Sequence, residues 1–388
     1  MNYKKKKILC FVKCYLPGYK YGGPIRTISN FVENFGDKFD IKIVCDDRDF
    51  LDTKSYKKIQ INHWNKVGKA KVFYLSVRKL TFNSIKNLLK EFNYDLLYLN
   101  SFFTFKYSIL PIFLIWIKVL PKTPCVIAPR GEFSLGALKI KKLKKFIFIN
   151  IVKALGIYKN LYWQASSKFE KRDIINNLGK IPKKIYIAPN LVSPIVVEKE
   201  KIKKKPKGSL KILFFSRISP MKNLDFFLKV VNKVSSNIQL DIYGIKEDLR
   251  YVNQCKRLIN KLPKNIKVSF KNKVDHNKIG TIFKNYDLFV LPTRGENFGH
   301  VIYEALAAGL PALISDKTPW KEKNTGGLKV IPLKENLWIK QIEKWSKLSP
   351  ISLYKKKIMA INYVKNYNLQ NKSINKNYNL INNAIKKI

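Results

Sequence analysis

The chain has 388 residues, enough for two domains of ordinary size or one large one. Hydrophobic residues make up 46% and aromatic residues 13%, so a substantial core can form and disorder is excluded as the dominant state. Lysine and arginine number 76 against 26 acidic residues, and the net charge of +50 favours polyanions such as nucleic acid, anionic lipid or phosphorylated small molecules. Because the lysines are scattered, a general drift in composition is the alternative explanation.

The N-terminal segment predicts a first strand and a cytoplasmic protein, because it lacks a small-residue cleavage site and Lys13 interrupts its hydrophobic run. The most apolar segment, 107–120, is shorter than the roughly 20 residues of a membrane span, so we expect a buried or interfacial helix. Five cysteines, mostly within apolar runs, indicate free thiols of a reducing compartment. With only three histidines, a zinc site is not expected.

Up to residue 197, short apolar runs alternate with amphipathic ones. The predicted strands are 7–12, 41–45, 71–77, 95–100, 125–128, 162–165 and 185–188. The predicted helices are 25–35, 83–92 and 139–155. Continuous apolar strands separated by helices are typical of a parallel sheet that is covered on both faces.

Residues 198–209 are charged, contain proline and glycine and lack periodicity, which predicts a linker; a long surface loop within one domain is the alternative. The alternation then resumes. The predicted strands are 210–215, 240–243, 266–270, 288–291 and 312–315, and the predicted helices are 224–234, 248–261, 278–285 and 301–308. From residue 337 the pattern is helical, and we expect 354–367 to dock and 370–388 to fray.

The fold class is therefore α/β, with two Rossmann-like, doubly wound domains facing across a cleft. The predicted boundaries are 1–197 for the first domain, 198–209 for the linker and 210–388 for the second domain with its C-terminal helices. Sheets of this kind bind ligands at the carboxyl ends of their strands.

The most informative segment, 292–320, reads PTRGENFGHVIYEALAAGLPALISDKTPW. A strand is expected to end at Pro292, and a helix opens near Phe298, where unpaired N–H groups favour phosphate or carboxylate. The eight-residue spacing of Glu296 and Glu304 predicts similar azimuths, at which carboxylates can accept hydrogen bonds from ribose or sugar hydroxyls. Alternatively, Glu296 is an ordinary turn residue and Glu304 a solvated helix residue.

Two other loops carry candidate phosphate ligands. Arg217 and Lys222 follow the first strand of the second domain, where a guanidinium fork and an ammonium charge can clamp a diphosphate. Gly22 and Gly23 lie between the first strand and the next helix, and glycines allow backbone N–H groups to approach a phosphate closely. Chance placement among 76 cations and a simple turn are the alternatives.

Three segments together resemble one family. GGPIR after the first strand, SRISPMKN after the linker and ENFGHVIYEALAAGLPALISD are similar to segments of the GT-B retaining glycosyltransferases of family 4, the E-x7-E or group 1 glycosyltransferases. The resemblance covers nearly the whole chain. It implies two Rossmann-like domains, a donor site mainly in the second, retention of anomeric configuration and no metal.

By motif position, the resemblance also implies roles for individual residues. Arg217 and Lys222 would stabilise the departing diphosphate, Glu304 would hold the ribose hydroxyls and Glu296 would lie near the donor sugar. The other implied donor contacts are the amides at Phe298, Gly299 and His300, the first-domain residues Gly22, Gly23 and Arg130, and Lys273 with Val274 beside a uracil or guanine base.

The chain departs from the family where many relatives carry a first-domain histidine near the sugar. The corresponding segment is APRGE, which makes Arg130 and Glu132 candidates with open roles. Asp47 and Asp49 resemble a metal-binding motif, but they follow an early strand in a fold that does not suit that chemistry. Ser166 and Ser167 with Glu170 predict a helix cap.

We therefore expect a hexosyltransferase that needs no cofactor beyond its UDP- or GDP-linked sugar substrate. It would extend lipopolysaccharide, capsule or exopolysaccharide on a glycan or lipid-linked acceptor at the cytoplasmic membrane face. Segments 139–155 and 107–120 would contact anionic lipid. One alternative is a nucleic-acid-binding protein, although the chain lacks a basic stripe with interleaved aromatics. The other is a sugar-phosphate synthase or NDP-sugar epimerase of the same fold.

Overall fold

The computed structural model describes residues 5–79, 81–193, 202, 205–271, 274, 278–323 and 326–386. The chain divides into two compact units, one of residues 1–192 with 372–388 and the other of residues 193–371. Among the described residues, no helix is both long and apolar enough to cross a bilayer. All five cysteines are buried within the two units.

The first unit contains an eight-stranded sheet. Its strands are β1 (Lys6–Phe11), β2 (Phe39–Asp46), β3 (Trp64–Val67), β4 (Ala70–Leu75), β5 (Leu96–Leu99), β6 (Cys125–Ile127), β7 (Tyr162–Ala165) and β8 (Lys184–Ile187). Its helices up to residue 192 include α1 (Gly23–Phe35), α2 (Phe82–Glu91), α3 (Leu110–Trp116), α4 (Leu135–Lys139), α5 (Lys142–Leu155) and α6 (Lys168–Leu178). The strand order is β3-β4-β2-β1-β5-β6-β7-β8, and β3 alone runs antiparallel to its neighbour.

Both faces of this sheet are buried, as the continuous apolar strands predicted. Ile8 and Cys10 of β1 pack into one core with α1, whereas Leu9 and Phe11 pack into the other with α2, α3, α5 and α6. This alternation follows from the period of two residues along a strand. The prediction of a parallel sheet covered on both faces is confirmed.

Several local features differ from the predictions, and two of them concern β3 and the helix predicted over 139–155. The strand β3 was not predicted, and it forms a hairpin with β4 through Gly68, which has a φ of 57°. The helix predicted over 139–155 is two helices, because Lys141 adopts a left-handed conformation with a φ of 55° between α4 and α5. A non-glycine residue in this region ends a right-handed helix.

The second unit contains a six-stranded parallel sheet. Its strands are β9 (Ser209–Phe215), β10 (Asn237–Tyr243), β11 (Ile266–Phe270), β12 (Leu288–Leu291), β13 (Ala312–Ser315) and β14 (Leu328–Ile331). Its helices are α7 (Leu224–Val231), α8 (Leu249–Ile259), α9 (Ile279–Phe283), α10 (His300–Ala307), α11 (Glu335–Ser346) and α12 (Pro350–Asn371). The strand order β11-β10-β9-β12-β13-β14 is that of a doubly wound Rossmann sheet.

The last helix, α13 (Ser373–Ile385), belongs to the first unit. Asn377, Leu380, Ile381 and Ala384 follow the spacing of one helical face, and the three apolar residues among them are buried in the core that contains α1. The predicted fraying of 370–388 is therefore wrong for this helix, and the predicted second domain, 210–388, extends too far. Half of the predicted linker, 198–209, lies outside the described residues.

Asn377 ties α13 to the first sheet. Its Nδ2 donates to the carbonyl of Pro189 over 2.8 Å, and its Oδ1 accepts from Gln164 Nε2 over 2.9 Å. The substitution Asn377→Ala leaves both partners buried without this contact, so we expect a loss of about 1–3 kcal/mol in the free energy of unfolding. Chemical denaturation measures this loss.

Asn379→Ala is the matched control, because Asn379 is exposed on the same helix. Its free energy of unfolding should stay within about 0.5 kcal/mol of the unsubstituted protein. Equal effects of the two substitutions would contradict the packing of α13.

Candidate functional site

The second sheet creates a crevice between two of its central strands. Strand β9 pairs in parallel with β10 on one side and β12 on the other. After β9 the chain continues to β10, and after β12 it continues to β13 on the opposite side, so the strand order reverses between β9 and β12. Ligands of doubly wound sheets bind at this kind of topological switch point, outside the carboxyl ends of the strands. The loops 216–223 and 292–299 follow β9 and β12 at this edge.

An ion pair joins these two loops. Lys222 Nζ lies 2.5 Å from Glu296 Oε2, and their side chains are only 10% and 18% exposed. The pair brings a cation that can bind phosphate next to a carboxylate that can accept hydrogen bonds from hydroxyl groups. Of the predicted site residues, these two are brought into direct contact by the structure.

Backbone contacts fix the loop that carries Lys222. The carbonyl of Met221 accepts from the Arg294 N–H over 2.8 Å and from Thr293 Oγ1 over 3.0 Å. Asn223 adopts a left-handed conformation with a φ of 60°, and its Oδ1 accepts from Arg294 Nε over 2.9 Å. Lys222 is therefore held between two restrained residues.

The sequence analysis missed Arg294 and Asn223 as residues that position the site. An asparagine directly after Lys222 was an available signal, because asparagine adopts the left-handed region more readily than most residues. Arg294 carried no comparable signal, since nothing in its sequence context marks it as the partner of a residue 71 positions earlier.

The helix after β12 begins between the predicted opening near Phe298 and the predicted first residue 301. It opens at His300, with Gly299 at its N-terminal cap and a φ of 78°. Glu296 lies just before the helix, as the sequence indicated, and the similar azimuths expected for Glu296 and Glu304 stay a prediction. Glu304 lies within α10 and is partly buried. Its predicted contact with ribose hydroxyls stays a prediction.

Phe298 is a core residue by its side chain. It is buried against Trp320 and Tyr367, with ring centroids 5.6 and 6.4 Å away, and its carbonyl accepts a hydrogen bond from Trp320 Nε1. The ring of His300 packs edge-on against Phe298 at 4.8 Å. The donor contact predicted at Phe298 is therefore restricted to its backbone amide.

Arg217 lies two residues after β9, but its described ion pair is elsewhere. Its Nη1 lies 2.8 Å from Glu247 Oε1, in the loop that follows β10. A role for Arg217 at a diphosphate thus requires the guanidinium to act while it is paired, or to exchange partners. Lys273 lies outside the described residues, and Val274 is half-buried in the loop after β11.

In the first unit, Gly22 and Gly23 begin α1 at the carboxyl end of β1. Gly22 is the N-terminal cap with a φ of 72°, and Gly23 is the first helical residue, followed by Pro24. The helix starts two residues before the predicted residue 25, and its first N–H groups are the candidate phosphate ligands of this unit.

Arg130 is engaged by the first unit itself. Its guanidinium donates to Asn100 Oδ1 through Nε and Nη2, to Asn190 Oδ1 over 2.9 Å and to Tyr98 Oη over 2.6 Å. Four of its five N–H groups are used in this way, so a contact of Arg130 with the donor would rely on the remaining one.

Two carboxylates hold the loops around Arg130. Glu132 accepts from the N–H groups of Phe102 and Phe103, over 2.5 and 3.0 Å, and Glu170 accepts from the Gly131 N–H over 2.6 Å. Burial raises the pKa of Glu132, and these hydrogen bonds partly offset the effect. Ser167 Oγ accepts from the Glu170 N–H over 3.1 Å, which confirms the predicted helix cap.

The acidic segment after β2 has structural partners. Asp47 pairs with Arg48 over 2.8 Å, and Asp49 accepts from the N–H groups of Tyr19 and Lys20 over 2.7 and 2.9 Å. Within the part of the chain that the structure describes, no three histidine, cysteine or acidic side chains are grouped in a way that could hold a metal ion.

Comparisons with known proteins identify the class of the second unit. Residues 197–349 match the model of the family described as glycosyl transferases group 1. An uncharacterized 41.2 kDa protein in the cps region of Klebsiella pneumoniae is 25% identical over 319 residues, which are 79% of this chain and 81% of that protein. The O-antigen chain mannosyltransferase RfbU of Salmonella typhimurium is 29% identical over 154 residues, which are 39% of this chain and 41% of that protein.

A solved structure extends the similarity to the whole fold. Anabaena Alr3699/HepE in complex with UDP-glucose aligns with a TM-score of 0.67 at 14% identity, over 97% of this chain and 98% of that chain. The chain therefore has the GT-B fold that the sequence predicted. The segment that matches the group 1 glycosyltransferase model contains both loops of the Lys222–Glu296 pair. The assignment of the chain to family 4 stays a prediction.

Gly299 is required by the geometry of the site. A Cβ at this position would lie 2.7 Å from Ile302 Cδ1 and 3.0 Å from Glu296 Cγ, on a backbone with positive φ. We expect Gly299→Ala to lower the free energy of unfolding by about 1–3 kcal/mol, because the left-handed conformation is strained for alanine. Thermal unfolding measures the loss.

Gly295→Ala is the matched control in the same loop. Its Cβ would meet only Met221 Sδ, at an ordinary distance of 3.5 Å. A free energy of unfolding close to that of the unsubstituted protein is expected. If Gly299→Ala were equally harmless, the described conformation of this loop would be incorrect.

Proposed function

We propose that the chain transfers a hexose from a UDP- or GDP-linked donor, with retention of configuration, to a growing surface glycan at the cytoplasmic membrane face. The observation that carries this proposal is the Lys222–Glu296 pair at the switch point of the sheet, inside the segment that matches the glycosyltransferase family. Support for a glycan acceptor comes from a relative that is an O-antigen chain mannosyltransferase and another in a cps region.

The chemistry requires stabilisation of a departing diphosphate. The acceptor oxygen bonds to the anomeric carbon on the side that the diphosphate leaves, and it passes its proton to the departing phosphate oxygen, which takes the electron pair of the broken bond. Lys222, Arg217 and the N–H groups at the start of α10 would stabilise the negative charge that develops on the diphosphate. Fixed donors of this kind can act without a metal ion.

The two carboxylates would orient the donor. Glu296 lies beside Lys222 and would accept hydrogen bonds from the sugar hydroxyls, and Glu304 in α10 would accept those of the ribose. A structural neighbour crystallised with UDP-glucose supports a nucleotide-sugar donor. The hexose, the base and the retention of configuration are parts of the proposal.

Lys222→Ala should lower the rate of sugar transfer by about 10²-fold or more, as the removal of one preorganised charge-stabilising donor does in other enzymes. Glu304→Gln should weaken donor binding, because the charged acceptor for the ribose hydroxyls is lost. The measurement is transfer of radiolabelled sugar from UDP- and GDP-linked donors to lipid and polysaccharide extracts, with NMR assignment of the new anomeric linkage.

Lys229→Ala and Glu335→Gln are the matched controls. Lys229 is exposed on α7, and Glu335 forms a surface ion pair with Lys233. Both variants should transfer sugar at the unsubstituted rate. Full activity of Lys222→Ala would contradict the proposed site, and an epimerised donor in reactions without acceptor would contradict the proposed reaction.

A further inference from the structure

Helix α5 is apolar on two opposite sides. Ile149 and Val152 face inward and are buried in the first unit's core, with Phe148 packed against it. Five other apolar side chains of the helix are exposed: Leu143, Phe146, Ile147, Ile151 and Leu155. Leu143 and Phe146 are 70% and 62% exposed, although residues of these types usually lie inside a protein.

The exposed apolar residues form a continuous stripe. Residues 143, 147, 151 and 155 are spaced by four, which keeps them on one side of a helix that turns about 100° per residue. Phe146 widens the stripe on one side. The short helix α4 and the residue after it add Leu135 and Ile140, which are 82% and 59% exposed. We call these seven residues the α4–α5 face.

Positive charge borders the stripe on both sides. Lys144 lies along one edge, Lys142 and Lys153 lie along the other, and all three are exposed. Residues 135–155 contain six lysines and no acidic residue. Lysines in this arrangement can lay their methylene chains along an apolar surface and keep the ammonium groups at its polar edge.

Lys145 has a different role from its neighbours. Its Nζ donates to the carbonyl of Ala137 over 2.7 Å and lies 4.9 Å from the ring centre of Phe103. Burial lowers the pKa of this lysine, against the opposing effect of Glu132. Lys145 thus ties α4 to α5, and it should be removed from the set of lysines expected to face lipid.

We propose that the α4–α5 face docks onto the surface of an anionic lipid bilayer. An interfacial helix combines an apolar side with lysines and lies in the plane of the membrane, with its apolar side about 5–10 Å deep. The five lysines of this segment other than Lys145 fit the negative potential of anionic headgroups. The proposal deepens the proposed function by naming the surface that would bring the enzyme to a membrane-bound acceptor.

A second copy of the chain fits this face poorly. Two-fold contact would place the lysines of one copy against those of the other, and the segment offers no carboxylate to pair with them. An anionic bilayer offers acyl chains to the apolar stripe and negative headgroups to the lysines at its edges. Self-association is therefore an outcome that the experiment must detect.

The test is flotation of the full chain with vesicles, without any nucleotide sugar. We expect binding to vesicles of phosphatidylcholine with phosphatidylglycerol, and much weaker binding to phosphatidylcholine alone or at high salt. Substituting Leu143, Phe146, Ile147 and Ile151 together by serine should abolish binding. The control replaces three exposed residues of the second unit, Leu249, Ile351 and Leu369, by serine and should bind normally.

A charge series tests the electrostatic part. Lys142→Gln, Lys144→Gln and Lys153→Gln together should weaken binding roughly 100-fold, at about fivefold per lysine. The control, Lys229→Gln with Lys256→Gln and Lys355→Gln, removes the same charge from exposed positions in the second unit and should have little effect. Thermal unfolding should be unchanged in every variant, because all the replaced side chains are exposed.

The proposal is overturned if the unsubstituted chain does not float with anionic vesicles. It is also overturned if each control variant weakens vesicle binding as much as the α5 variant to which it is matched. A concentration-dependent dimer that the serine variant abolishes, without vesicle binding, would show that a second copy covers the face. Because no sugar is present, the result is independent of sugar transfer. Lys222→Ala should bind vesicles normally even if it is inactive.

Discussion

The candidate site depends on one contact, the ion pair between Lys222 and Glu296, which is largely withdrawn from water. A lysine at this depth without its carboxylate would carry a large desolvation cost, so the two loops must hold both groups in place. Arg294 and Asn223 restrain the lysine loop, and Gly299 allows the chain to turn into α10 beside Glu296. The parallel pairing of β9 with β12 makes the contact possible, because it places the ends of both strands at one edge.

The first unit uses similar residue types for a different purpose. Arg130, Glu132 and Glu170 are engaged by backbone groups and side chains of their own unit, and they fix the loops that follow β5 and β6. Conspicuous charges in a loop are therefore not by themselves evidence of a ligand. The net charge of +50 likewise does not identify a ligand. The lysines along α5 support docking onto anionic lipid because they border an apolar stripe.

Much of the fold could be predicted because buried parallel strands are continuous apolar runs, and the group 1 segment carries Lys222 and Glu296 in a readable pattern. Other features depend on contacts that local sequence does not encode. Helix α13 contains five asparagines and one lysine among its 13 residues, and only its packing against the first sheet shows that Leu380 and Ile381 are core residues. The break at Lys141 and the partnership of Arg294 with Asn223 likewise arise from tertiary structure.

The most direct test of the central claim is a thermal-shift comparison of UDP-, GDP- and ADP-linked sugars on the unsubstituted chain and on Lys222→Ala. A donor present at 100 times its dissociation constant should stabilise the unsubstituted chain by about 2.7 kcal/mol. We predict that a UDP- or GDP-sugar produces this shift and that Lys222→Ala loses most of it. No stabilisation by any nucleotide sugar, or equal stabilisation of both proteins, would contradict a donor site at the Lys222–Glu296 pair.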